Sequence, residues 1–217
     1  MAITKKTFPE DFNVENLIKD LFEKPSRYGD VSAVELYGNI IKRIDEASDD
    51  LDKDSEFVKN VRKFFGITHR SDEFVKKFCS LIIEVRNNYE SFDIIDVSDR
   101  LTKFSTSEYE ISFASKIIHL ADKEHKYIIY DTNVRACFLL ENVRSTPETY
   151  IQLRDNFVDF KNKLQSGNKN RMCVECRNFL EMFNKELKNN KIVLSENKKI
   201  DFYLWKLGAR LKKTNKK

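Results

Sequence analysis

The stretch from Ile111 to Leu140, ISFASKIIHLADKEHKYIIYDTNVRACFLL, gathers residue types that do chemistry. At about 100° per residue, Phe113, Ala114, Ile117, Ile118, Leu120 and Ala121 cover roughly half of a helix circumference. Ser112, Ser115, Lys116 and His119 fill the remaining arc as one polar strip. An extended YIIY segment follows, Tyr127–Tyr130, and then Asp131-Thr-Asn-Val opens another helix. A lysine amine becomes a nucleophile when partial burial or a nearby cation depresses its pKa. His119, one turn beyond Lys116, is placed to do that. A carboxylate such as Asp131 can stabilise a developing cation or activate water or an amine. Each residue has a plainer reading beside this one. Asp131 is a good helix N-cap, Lys116 a solvated helix-face lysine, and Arg135 a salt-bridge partner rather than a phosphate contact.

Other chemistries find less support. Of the four cysteines, only Cys173 and Cys176 have metal-type spacing, and no second pair completes a zinc site. Cys79 and Cys137 sit in apolar stretches, and Cys176 lies on the apolar stripe of its helix, as packed thiols do. The acidic run Asp45–Glu56 reads as a solvated inter-helix loop without the pattern of a calcium-binding loop. Glycine-rich phosphate loops, HExxH and GxSxG are absent. The expectation is no metal and no cofactor.

The elements that position these residues are helical. Apolar residues recur at helical spacing in nine stripes. They run through Val14–Phe22, Leu36–Ile44, Phe57–Phe65, Phe74–Val85, Ile111–Leu120, Val134–Leu140, Leu153–Leu164, Cys176–Leu187 and Ile200–Leu211. Pro25 and Gly66 punctuate two of them, Ser71 is a plausible N-cap, and Pro147 suits a first helical turn. Only YIIY and Lys191–Leu194 read as extended.

Composition agrees with this reading. The 217 residues include only 5 Gly and 3 Pro, too few for the turns of an all-β sandwich. No apolar run approaches the roughly 18–20 residues of a membrane span, and the N-terminus has no secretory apolar core. A cytoplasmic protein without membrane association is expected. Net charge is only +4, but its distribution is uneven. Lys206, Arg210, Lys212, Lys213, Lys216 and Lys217 form an acid-free basic tail, which suits phosphates or simply a soluble end.

The segment Ile129-Tyr-Asp131-Thr-Asn-Val134 resembles the "PVDTHV"-like segment of the helix-hairpin-helix DNA glycosylase superfamily. More closely, SFASKIIHL…IIYDTNVRA is similar to bacterial proteins described as having an 8-oxoguanine DNA glycosylase fold. Lys199–Gly208 resembles the closing helix of such proteins. The resemblance implies an all-α, two-lobed fold with Asp131 as the catalytic aspartate. It differs at the hairpin, where Ser107-Glu-Tyr-Glu-Ile-Ser112 has no glycine to hold a phosphate. Ser112 stands where bifunctional members carry the Schiff-base lysine. Lys116, one turn later, either substitutes for it or is an ordinary lysine.

The expected organisation is a single helical fold with lobes of about 1–105 and 106–205, a basic tail 206–217, and the functional site in the cleft. The expected function is DNA binding, with excision of a damaged base such as 8-oxoguanine by Asp131 and Lys116. Ser112, Ser115, His119, Arg135, Lys206 and Arg210 would face DNA. Phe202, Tyr203 and Trp205 either stack on a base or pack in the core. The alternative is a non-catalytic nucleic-acid- or protein-binding module, for which a bacterial defence or mobile-element setting would be suitable.

Overall fold

The computed structural model describes residues 8–9, 12–23, 31–47, 50–67, 69–122 and 127–214. Within them the chain is all-α: ten α-helices, one short 3-10 turn, and no strand. It divides into two compact units, Lys19–Tyr127 and the pair of segments Met1–Ile18 and Ile128–Lys217. The first helix, α1 (Val14–Phe22), is shared between them.

The Lys19–Tyr127 unit contains α2 (Ala33–Glu46), α3 (Ser55–Phe65), α4 (Asp72–Asn87), α5 (Ile94–Thr102) and α6 (Ile111–Ala121). Local chemistry sets their ends. Ser32 and Ser71 accept the N–H groups of Glu35 and Phe74, satisfying donors the first turn leaves open. Asp54 accepts from Glu56 and Phe57, and the Phe57 N–H and the Arg43 guanidinium hold its carboxyl below the usual range. Gly66 closes α3 at φ 65°, a left-handed position that glycine takes without a Cβ clash. Helix α6 packs on α4 and α5. Tyr37, Phe57, Phe74, Phe78, Val97, Leu101 and Ile117 are buried in this core.

The other unit contains α7 (Thr132–Cys137), α8 (Pro147–Gln165), α9 (Arg171–Asn189) and α10 (Glu196–Thr214). Pro147 opens α8 behind a capping box made by Thr146 and Thr149. Phe179 stacks on Phe183 at 4.8 Å between ring centres, and Phe183 meets Phe202 at 5.8 Å. The Tyr203 hydroxyl, buried among these rings, donates to the Met172 carbonyl at 3.0 Å. All four cysteines are free and buried, and burial pushes the Cys79 thiol up to about 12.

Eight of the nine apolar stripes fall within helices, and the sixth, Val134–Leu140, is helical only to Cys137, where α7 ends. Helix α5 is the addition. It is short, and its start is set by an Asp93–Asp96 capping box rather than by a long apolar stripe. Neither expected extended segment forms a strand, although Ile128–Tyr130 does lie between helices. The acidic run covers the end of α2, the connection to α3 and the start of α3; Asp45 in α2 pairs with Arg86 at 2.6 Å, Leu51 is buried, and Asp49 lies outside the described residues. Pro25 lies outside the described residues.

One contact in this fold is unusually close. Helix α10 crosses α7 at Gly208, and a Cβ there would come within 1.7 Å of the Asn133 carbonyl oxygen. That neighbour is backbone and cannot swing aside. Gly208→Ala is therefore expected to cost roughly 1–3 kcal/mol or more by overpacking. Urea unfolding of the variant checks this, and a loss below about 0.5 kcal/mol, the scale of an ordinary surface substitution, would contradict it.

Candidate functional site

Helix α6 carries the expected polar strip. Its residues fare differently. Lys116 is 6% exposed. Its ammonium donates to Ser112 Oγ at 3.2 Å and lies 4.4 Å from the Phe113 ring centre and 5.8 Å from that of Phe65. Burying the stem and stacking the head on aromatic faces replaces part of the lost hydration. Ser112 is half-buried. Ser115 is wholly buried, its hydroxyl donating back to the Ser112 carbonyl at 3.0 Å. His119 is also wholly buried. Its Nε2 lies 2.9 Å from the Tyr37 hydroxyl and its Nδ1 2.6 Å from the Tyr127 carbonyl, so both ring nitrogens are engaged in the core.

The connection into α6, residues 103–110, contains no glycine. Here Glu110 is 4% exposed and pairs with Arg70 at 2.8 Å. Ser105 Oγ also donates to its carboxylate, and the Glu110 N–H donates to Ser98 Oγ at 2.9 Å. The connection is therefore stapled by a buried acid, and Arg70 in turn lies 5.1 Å from the Phe113 ring centre.

In the other unit, Asp131 is the N-cap of α7 and is half-buried. Its Oδ1 accepts the Asn133 N–H at 2.7 Å, and its own N–H donates to the Ile129 carbonyl at 2.9 Å. Arg135, one turn on, is 6% exposed. Nε donates to the Leu140 carbonyl at 3.0 Å, one Nη to Ser145 Oγ at 3.1 Å, and the other Nη to the Val143 carbonyl. Its guanidinium also stacks 4.6 Å from the Tyr130 ring centre. It closes the 138–146 connection from inside. Of the aromatic residues on α10, Phe202 and Tyr203 are core, while Trp205 is half-buried with Lys206 Nζ 5.1 Å from its ring centre. Lys206 and Arg210 are half-buried on the same helix.

Comparison of the chain with protein-family models, curated proteins and solved structures finds no match. The site must therefore be read from its own residues.

The structure brings Ser112, Ser115 and Lys116 together on α6, with His119 one turn on, inside one unit. It brings Asp131, Arg135, Lys206 and Arg210 into the other. Among the described residues, no group of three or more His, Cys, Asp or Glu could hold a metal ion, and no helix is long and apolar enough to cross a membrane.

Two residues near Asp131 were not singled out from the sequence. Lys198 and Asp201 form an ion pair at 2.7 Å with almost no exposed side chain. The available signal was positional. Asp201, Leu204, Gly208 and Leu211 fall on one face of α10 by helical spacing, so an acid there is carried inward with the apolar residues. Lys212 of the same helix donates to Asn133 Oδ1 at 3.2 Å, next to Asp131.

These contacts separate two roles that one mutation scan can measure. Asn caps a helix about as well as Asp, so Asp131→Asn should leave stability within about 0.5 kcal/mol while Asp131→Ala costs about 1 kcal/mol. Arg135→Ala strands the acceptors it holds and should cost roughly 2–4 kcal/mol. Denaturant unfolding of the three variants checks the order, and a neutral Arg135→Ala would refute the clamp.

Proposed function

We propose that this chain is a DNA-binding protein with a DNA glycosylase-like fold, in which Asp131 acts at the sugar of a flipped nucleotide. One observation carries the reading. The two segments that separately resemble the superfamily, Ile129–Val134 and Lys199–Gly208, are packed against each other, with Gly208 fitted to the Asn133 backbone. Their contact is the arrangement that the resemblance implies for an aspartate-bearing turn and its closing helix.

The chemistry follows from the position of Asp131. Base excision breaks the C1′–N bond, and its electron pair leaves with the base. A half-buried carboxylate beside the sugar stabilises the positive charge that develops there, and then accepts a proton from the water whose oxygen bonds to C1′. Lys206 and Arg210 on α10 supply cations for backbone phosphates, which position a duplex without reading its sequence. Extruding the nucleotide gives access to a bond that the stacked duplex hides.

A second reading is a binding module on the same fold without catalysis. Two features of the other unit favour it. Ser112 stands at the Schiff-base lysine position, and Lys116 spends its ammonium on Ser112 and two phenylalanine rings.

Base release distinguishes the two. Labelled duplexes carrying 8-oxoguanine, uracil, alkylated adenine or no lesion are incubated with the protein and then cleaved by alkali at any abasic site. The first reading predicts release from one lesion and a loss of about 10²-fold or more in Asp131→Asn, with DNA affinity retained. Tight binding without release from any duplex assigns the second.

A further inference from the structure

We propose that the C-terminal half of α10 is a binding surface for single-stranded nucleic acid, on which an unpaired base stacks against Trp205 while Lys206, Arg210 and Lys213 hold the phosphates beside it. It shares with the proposed function only the contact between α10 cations and phosphate, and it does not depend on Asp131.

This half of the helix has two unlike sides. At 3.6 residues per turn, Leu204, Leu207, Gly208 and Leu211 fall together, and all four are buried. Trp205, Lys206, Ala209, Arg210, Lys212 and Lys213 share the opposite sector of roughly 160°, in which none is buried. Four of these six are cations and none is an acid. Lys212, at the edge of the sector, donates to Asn133 Oδ1 at 3.2 Å. The other three cations lie within about 11 Å along the helix axis, at 1.5 Å per residue.

Trp205 is the feature that charge alone does not explain. Tryptophan is on average highly buried. The aromatic residues one turn back, Phe202 and Tyr203, are fully buried and meet Phe183 and Phe179. Trp205 is turned out of that core and stays half-buried among the cations. Lys206 Nζ, 5.1 Å from its ring centre, shows that a flexible cation reaches the indole face. Ala209, four residues on, brings only a methyl group to the neighbouring position.

An indole beside cations suits a strand whose bases are unpaired. Such a strand offers a base face for stacking and phosphates next to it, whereas a duplex keeps its base faces inside its own stack. A membrane surface also attracts tryptophan and lysine, but it takes up the apolar side of a helix. Here that side, with Leu204, Leu207 and Leu211, is buried within the fold.

The test uses the full chain, whose single tryptophan makes its fluorescence report on this site alone. A thymidylate strand and a uridylate strand, each of about twelve nucleotides, are titrated in turn. A blunt duplex with the same number of phosphates and vesicles of phosphatidylserine with phosphatidylcholine follow. Stacking is expected to quench Trp205 emission saturably with one or both strands, and the tighter of the two identifies DNA or RNA. The duplex should quench less, although its higher charge density favours it electrostatically. By anisotropy of the labelled strand, Trp205→Leu should bind about tenfold more weakly, and Trp205→Phe should stay within about threefold. Should Trp205→Leu not fold, Lys206→Gln/Arg210→Gln/Lys213→Gln decides. It should flatten the slope of log affinity against log salt by about 2. Emission unchanged by both strands, equal quenching by the duplex, a response to vesicles alone, or full affinity in Trp205→Leu overturns the proposal. A protein that binds a strand in this way but releases no base keeps this surface and loses the Asp131 chemistry. One that releases a base while Trp205 stays silent keeps the chemistry and loses the surface.

Discussion

The crossing of α10 over α7 at Gly208 is the constraint on which the rest of the candidate site depends. A short helix such as Thr132–Cys137 has little stability of its own, because nucleation fixes several residues before any hydrogen bond repays it. It persists because the α10 backbone comes close enough to exclude even a methyl group at residue 208. That approach sets where Asn133 lies, and the Asn133 N–H is the donor that Asp131 Oδ1 accepts. Cys137 Sγ, at the other end of the helix, meets the Leu204 carbonyl at 3.2 Å, one turn back along α10. The position of one carboxylate thus follows from the absence of one side chain.

Buried charge completes the architecture, and in two instances it ties down a stretch that lacks regular structure. Glu110 and Arg70 staple the connection into α6. Arg135 gathers the carbonyls of Leu140 and Val143 together with the Ser145 hydroxyl. Lys198 and Asp201 pair with each other at 2.7 Å within α10. Irregular backbone has no ladder to satisfy its polar groups, so long side chains reach in to do so. The consequence for function is that several charges which look available for phosphate in a sequence are already engaged. Lys206 and Arg210 of α10, and Asp131 before α7, are only half-buried.

Helix positions were legible because burial of one face imposes a period on the sequence. The caps at Ser71, Asp131 and Gly66 and the proline at 147 were legible for the same local reasons. Helix α5 was hidden because its buried face is only Val97, Ser98 and Leu101. The polar strip of α6 shows the deeper difficulty. A helical wheel assigns polar residues to water, yet Ser115 and His119 are in the core. Polar partners supplied by Tyr37, Tyr127 and Ser112 make that burial affordable. Such partners are distant in sequence and carry no periodic signal. Lys198 and Asp201 were concealed by the same rule, since a charged pair three residues apart ordinarily marks a solvated face.

The central claim is that this chain engages the DNA backbone, and the salt dependence of duplex binding tests it most directly. Fluorescence anisotropy with a labelled duplex would be recorded across a series of salt concentrations. Contact with three or more phosphates predicts that log affinity falls against log salt with a slope of about −3 or steeper. A slope near zero, or no binding at low salt, would contradict the account and leave the α7–α10 pairing as architecture alone.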